Sequence, residues 1–221
     1  MSLDKGSLRV VAHWTLLIVL GLNLRPLLSS ISPLLLQIRA DTGMSFQASA
    51  WLTSLPVICM GLVALLGLRL QARLGERNGV ALGLCMIVAA CLWRLFAHQG
   101  ETLMATALLG GAGIALIQAL VPALIKRQFQ HRVALALGVY SASLMAGGGL
   151  AALVSPRVAG HFSHWQAGLG MWLLPALVAL LMWWLLPFAG TAQPLQGVST
   201  RAWSSRRAWL LALYFGLVNC G

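Results

Sequence analysis

Arg25 lies deep in the first long apolar run, within Gly21-Leu22-Asn23-Leu24-Arg25-Pro26-Leu27-Leu28. That run extends from Val10 to Leu36 and holds no acidic residue to pair with the arginine. Counted from Val10 at 1.5 Å per residue, Arg25 is ~22 Å into a helix, past the midplane of a bilayer. An ionisable group at that depth costs at least ~2.5–3.5 kcal/mol, and such groups face a bundle interior or a watery cavity and mark a substrate path. Pro26 removes a backbone N–H at the same level and disturbs the helix. A broken helix carrying a cation can hold a small anion. The plainer role for Arg25 is a guanidinium bonded to helix carbonyls or snorkelling to the surface.

Other polar groups occupy later apolar runs. Gln118 stands seven residues from the end of one run and Tyr140 seven from the start of the next, so both lie ~10 Å deep on adjacent antiparallel helices. They line one cavity or share an interhelical hydrogen bond. Asn23 is two positions from Arg25 and points elsewhere on a regular helix, where it can bond a neighbouring helix. With Arg25, these three form the candidate substrate-binding set. Gly111 and Gly113, and the triplet Gly147, Gly148 and Gly149, allow helix backbones to approach closely. A glycine-rich helix also flexes, which suits alternating access.

The composition excludes much other chemistry. The chain has 221 residues, 59% hydrophobic and 9% charged, with mean hydropathy +0.85. A chain this apolar is a polytopic membrane protein, with the lipid bilayer as its first partner. The net charge is +11, yet the cations sit in short loops without interleaved aromatics, which argues against nucleic acid. Cys59, Cys85, Cys91 and Cys220 lie in apolar runs with no Cys-x-x-Cys, and read as small buried hydrophobes. His161-Phe-Ser-His164 has no carboxylate or cysteine beside it, so no metal is expected. Paired carboxylates, a phosphate-binding lysine loop and nucleophile–histidine settings are all missing from the sequence, so neither an enzyme nor a cofactor is expected.

The elements that must position these groups are six apolar spans. They run roughly over Val10–Leu36, Phe46–Leu70, Val80–Ala97, Thr102–Ile125, Val133–Pro156 and Trp165–Pro187, each long enough to cross ~30 Å of hydrocarbon. Lys5, Arg9, Arg69, Arg73, Arg77, Lys126, Arg127, Arg132, Arg201, Arg206 and Arg207 fall on one side, against Arg39, Arg94 and Arg157 on the other. The bias places the N-terminus in the cytoplasm. Asp4, Asp41, Glu76 and Glu101 all fall at span ends or in loops, so no span holds a carboxylate relay. Residues 1–188 read as a six-helix bundle, 189–207 as a polar cytoplasmic linker, and 208–221 as the start of a seventh helix. There, Phe215-Gly-Leu-Val-Asn219 echoes Leu20-Gly-Leu-Asn23. An echo of the first span in a new one suggests an internal repeat. The expectation is a first half whose C-terminal half is missing.

Arg69-Leu-Gln-Ala-Arg73-Leu-Gly75-Glu76-Arg77 is a basic turn between the second and third spans. It resembles the loop signature of the major facilitator superfamily, in which Arg73 and Gly75 would be gating residues. Ala72 stands in place of the usual aspartate, and Glu76 in place of a basic residue. Gly21 to Ser29, Leu109 to Gln118, Pro122 to Gln130, Tyr140 to Gly149, and Arg201-Ala-Trp with Tyr214 to Asn219 resemble the cyanate transporter branch of that superfamily. The same branch includes 2-nitroimidazole exporters. The resemblance implies an all-α integral membrane protein, twelve helices in two six-helix halves, a central cavity and a bacterial inner-membrane location. It makes a small anion, cyanate, the expected substrate. A drug-like exporter and an inactive truncated membrane protein are the alternatives.

Overall fold

The computed structural model describes residues 5–186 and Leu210, without the side chains of residues 5–9 and 64–73. The expected linker at 189–207 and, Leu210 apart, the seventh helix at 208–221 lie outside the described residues. The chain forms two units, Met1–Gly190 and Thr191–Gly221, and every element below belongs to the first.

Its elements are α1 (Lys5–Leu24), α2 (Pro26–Ser29), α3 (Ile31–Thr42), α4 (Phe46–Arg94), α5 (Gly100–Gln128), α6 (Val133–Phe162), α7 (Trp165–Gly170) and α8 (Leu173–Leu185). The described residues contain no strand. Among the described residues six stretches are long and apolar enough to cross a membrane: Val10–Thr42, Phe46–Val63, Leu74–Arg94, Gly100–Gln128, Val133–Phe162 and Trp165–Leu185. In hydrocarbon every backbone polar group must find a partner within the protein, and a helix meets that need inside a single segment.

Prolines divide the first span into α1, α2 and α3. Pro26 has no N–H to offer the Leu22 carbonyl, and Pro33 none for Ser29. Arg25 (φ −85°, ψ −30°) and Ser30 (φ −71°, ψ −21°) stay right-handed, so the chain carries on in one direction while its hydrogen-bond ladder lapses twice. Pro175 does the same between α7 and α8. The span closes at Gly43, whose positive φ of 67° lets its N–H reach the Arg39 carbonyl at 3.0 Å. The Arg39 guanidinium then lies over the Phe46 ring, 3.3 Å from its centroid, and stiffens the turn into α4.

The second and third spans differ from expectation. They run on as α4, bent at Gly75, and the third begins at Leu74 rather than Val80 and ends at Arg94 rather than Ala97. Gly75 has φ 70° and ψ 164°, a region essentially closed to residues with a Cβ. The basic turn is therefore a single-residue hinge between two helical arms.

The helix α5 packs along both arms of α4, and α6 along α1. Small residues set those distances. A Cβ on Gly113 would stand 2.7 Å from the Gly83 carbonyl oxygen, and one on Gly111 2.7 Å from Pro56 Cα. Leu16, Leu20 and Leu24 of α1, Leu84 and Ile87 of α4, Ile117 and Leu120 of α5 and Trp183 of α8 share one apolar core. A second gathers Ile31, Leu34 and Ile38 of α3 with Trp165 and Leu169 of α7. The Trp183 indole donates to the Arg77 carbonyl at 3.1 Å and the Trp172 indole to Ser155 Oγ at 2.9 Å, so α8 is tied at both ends. Leu36, Leu181, Trp184 and Leu185 remain exposed on the outside.

Candidate functional site

The break between α1 and α2 organises the candidate site. Its first consequence is the Leu22 carbonyl, which Pro26 cannot serve. That carbonyl lies directly against Gly147 of α6, where a Cβ would collide with Leu22 O and stand 2.9 Å from both its C and Cα. The next residue, Gly148, faces Arg25 and Ser29: a Cβ there would be 3.4 Å from Arg25 Cβ and 3.1 Å from Ser29 Oγ. Glycine at 147 and 148 thus lets α6 close onto the interrupted backbone, with the Gly147 Cα hydrogens beside the freed oxygen.

Gly149 is different. It is exposed, and a Cβ there would meet nothing within 4 Å, so the triplet does not act as one packing unit. Gly147→Ala is expected to push α6 from α1 and destabilise the bundle by about 1–3 kcal/mol. Gly149→Ala should change little. Thermal unfolding in detergent, followed by tryptophan fluorescence, separates the two; equal midpoints would remove the close approach at Gly147.

Arg25 points out of the bundle and is exposed. Among the described residues its guanidinium makes no hydrogen bond or ion pair, and the nearby backbone carries the local bonds: Leu28 and Ser29 donate to the Arg25 carbonyl at 3.0 and 2.9 Å. Asn23 points the other way. It is buried, 4% exposed, and its side-chain amide donates to the Val19 carbonyl one turn back at 2.7 Å. It bonds its own helix, where a neighbouring helix was expected, and it does not share the Arg25 face.

Tyr140 is also internal. It packs in the core against α1, its carbonyl 2.9 Å from where a Gly21 Cβ would lie, and its buried hydroxyl has no hydrogen-bond partner among the described residues. Gln118 is half-buried on α5, which packs chiefly on α4. The structure therefore brings Arg25, Ser29 and Gly148 together, and joins neither Gln118 to Tyr140 nor either of them to Arg25 by a hydrogen bond. The Arg73 side chain lies outside the described residues.

Reading cations by side of the membrane missed Arg94. Counted as a loop charge, it is instead fully buried at the end of α4. Its Nη1 donates to the Leu27 carbonyl at 2.8 Å and its Nε to Thr106 Oγ1 at 3.3 Å, while Thr106 donates in turn to the Leu103 carbonyl at 2.7 Å. Its Nη2 has no partner among the described residues. Arg94 thus clamps the segment just after Pro26 to α4 and α5. The signal in the sequence was its setting, Cys91-Leu-Trp-Arg94-Leu-Phe-Ala97, apolar on both sides.

Carboxylates stand apart from this break. Glu76, expected at a span end or in a loop, stands at the start of the second arm of α4 with its side chain 8% exposed and its Oε1 3.4 Å from Arg127 Nε of α5. No metal-holding group of His, Cys, Asp or Glu occurs among the described residues. Two guanidiniums, one exposed and one buried, therefore bracket a broken helix with no acid bonded to either. Positive charge left without a carboxylate can attract an anion.

Comparison with known proteins places this geometry in context. The profile of the Major Facilitator Superfamily matches residues 16–220. The cyanate transport protein CynX of Escherichia coli (strain K12) is 45% identical over 93% of this chain and 54% of its own length. The uncharacterized transporter YycB of Bacillus subtilis (strain 168) is 31% identical over 95% of this chain and 53% of its own. A 2-nitroimidazole transporter of Escherichia coli (strain K12) is 31% identical over 91% and 52%. The chain spans about half the length of the curated relatives it matches. A crystal structure of a peptide transporter in complex with sulfate superposes with a TM-score of 0.72 at 17% identity, covering 99% of this chain and 49% of that one. That likeness speaks for the fold alone.

Proposed function

The chain belongs to the major facilitator superfamily, and we propose that it serves as the N-terminal six-helix half of an alternating-access carrier for a small anion, with cyanate as the substrate. One observation carries the reading. Arg25 presents an unbonded guanidinium on the outer face of the bundle, at a helix break lined by Gly148 and Ser29. An ionisable group at mid-span normally faces a bundle interior or a watery cavity, which suits this face to the central cavity of a two-half carrier. The 45% identity to a cyanate transport protein supports the choice of anion. Cyanate is small, linear and singly charged, and a single arginine without a carboxylate leaves the net positive potential it needs.

Tyr140 supports this site from within, by packing α6 against α1, and Gln118, half-buried on α5, would add a hydrogen bond to substrate. On this reading the carrier sits in the bacterial inner membrane with its N-terminus in the cytoplasm, an orientation that the distribution of Lys and Arg favours. Inward movement of one negative charge against 100 mV, inside negative, costs ~2.3 kcal/mol. Net uptake therefore draws on a gradient or a coupled ion.

Labelled cyanate flux into proteoliposomes bearing the full-length carrier tests the proposal. Saturable flux that excess unlabelled cyanate suppresses and neutral 2-nitroimidazole does not is the expected result. Saturable 2-nitroimidazole flux without cyanate flux would transfer the assignment to the exporter class.

A further inference from the structure

A second polar feature lies well away from the α1–α2 break. A cleft of about 450 Å³ opens where the N-terminal end of the first span meets the connection between α5 and α6. Val10, Trp14 and Phe129 form an apolar wall, with the Trp14 and Phe129 rings 4.7 Å apart and inclined at 60°. Arg127, His131 and Arg132 supply basic groups to its lining. His131 and Arg132 are exposed. Arg127 also meets Glu76, which does not line the cleft, and among the described residues no carboxylate does.

Its level in the membrane follows from the spans. Val10 opens the first, Gln128 closes the fourth and Val133 opens the fifth. The cleft therefore sits where hydrocarbon gives way to headgroups. We propose that it binds an anionic phospholipid, with the phosphate against Arg132 and its basic neighbours and the first part of an acyl chain along Val10, Trp14 and Phe129. Two features select a lipid over a free anion. A water-borne phosphate has no use for an aromatic wall, and the site opens at the depth where lipid phosphates already lie. Basic pockets between spans on the cytoplasmic side meet the leaflet that carries negative lipid. The bias of Lys and Arg puts this end of the bundle on that side. The inference is independent of the transported substrate.

The test uses the purified full chain in mild detergent, delipidated and then titrated with phosphatidylglycerol or phosphatidylcholine of identical acyl chains, with bound lipid read by native mass spectrometry. Phosphatidylglycerol is expected to be retained in preference. Arg132→Gln should lower its retention about fivefold, the weight of one membrane-surface cation. Arg132→Lys should keep most of it. Arg157→Gln, at the far end of α6, should leave retention unchanged. Equal retention of the two lipids would overturn the proposal, as would an equal loss in Arg157→Gln. A third arm needs no variant: inorganic phosphate at millimolar concentration should leave the lipid in place, and displacement by it would make this a free-phosphate site.

Discussion

Arg25→Gln is expected to cut cyanate flux by the full-length carrier sharply at sub-saturating cyanate while leaving its thermal stability unchanged. The dissociation of the two readouts is the point. Arg25 is exposed and makes no side-chain hydrogen bond among the described residues, so its removal leaves no buried partner orphaned. A surface substitution free of such features changes stability by about 0.5 kcal/mol or less. A charged hydrogen bond to an anion is worth about 1.5–3 kcal/mol, so the apparent affinity for cyanate should weaken about 10- to 100-fold. Arg25→Lys keeps the charge and loses the planar fork, and should retain part of the flux with a raised KM. Undiminished cyanate flux in Arg25→Gln, with normal insertion, would reduce Arg25 to a snorkelling residue. A fall in melting temperature that parallels the loss of flux would make it structural.

Much of this site was legible because its causes are local. Pro26 breaks the ladder wherever it stands in a helix, and Arg25 precedes it by one residue, so the pairing of cation and break could be read from two adjacent letters. Six spans were legible for the same reason, since length and apolarity decide them one at a time. Gly75 was legible as a turn. Its nature as a hinge inside one long helical run was not, because a single φ of 70° decides that.

What stayed hidden depends on which helix faces which. Gln118 and Tyr140 are at similar depth, yet α5 packs on α4 and α6 on α1. Equal depth on consecutive helices does not make two side chains neighbours. Asn23 was assigned outward bonds because a neighbouring helix was expected to need them. Its amide donates to its own Val19 carbonyl instead, a local bond within α1. The Gly147–Gly149 triplet separates likewise: the carbonyl freed by Pro26 picks out Gly147, and the helical turn carries Gly149 to the open side.

Arg94 shows the limit most clearly, and the second large effect is expected there. Arg94→Met should lower both stability and transport, in contrast to Arg25→Gln. Its partners, Leu27 and Thr106, lie 67 and 12 residues away in sequence, so a count of cations by loop could not find them. With the guanidinium gone, the Leu27 carbonyl loses a charge-assisted donor inside an apolar bundle, a loss of about 1.5–3 kcal/mol. Leu27 is two residues beyond Arg25 and on the far side of Pro26. Once released, that segment no longer fixes the direction in which Arg25 leaves the helix. The maximal flux should fall more than the affinity does, since Arg25 itself is still present. Thr106→Val separates the two bonds. It removes the 3.3 Å contact and spares the 2.8 Å contact to Leu27, so it should cost only about 0.5–1.5 kcal/mol and keep most of the flux. Arg94→Lys should fall between, because an ammonium can reach the Leu27 carbonyl without spanning to Thr106. If Arg94→Met instead melts and transports like the unmodified carrier, the clamp is not what holds the broken helix. If it matches Arg25→Gln, with affinity lost and stability kept, then Arg94 turns toward substrate during the transport cycle and belongs to the anion site itself.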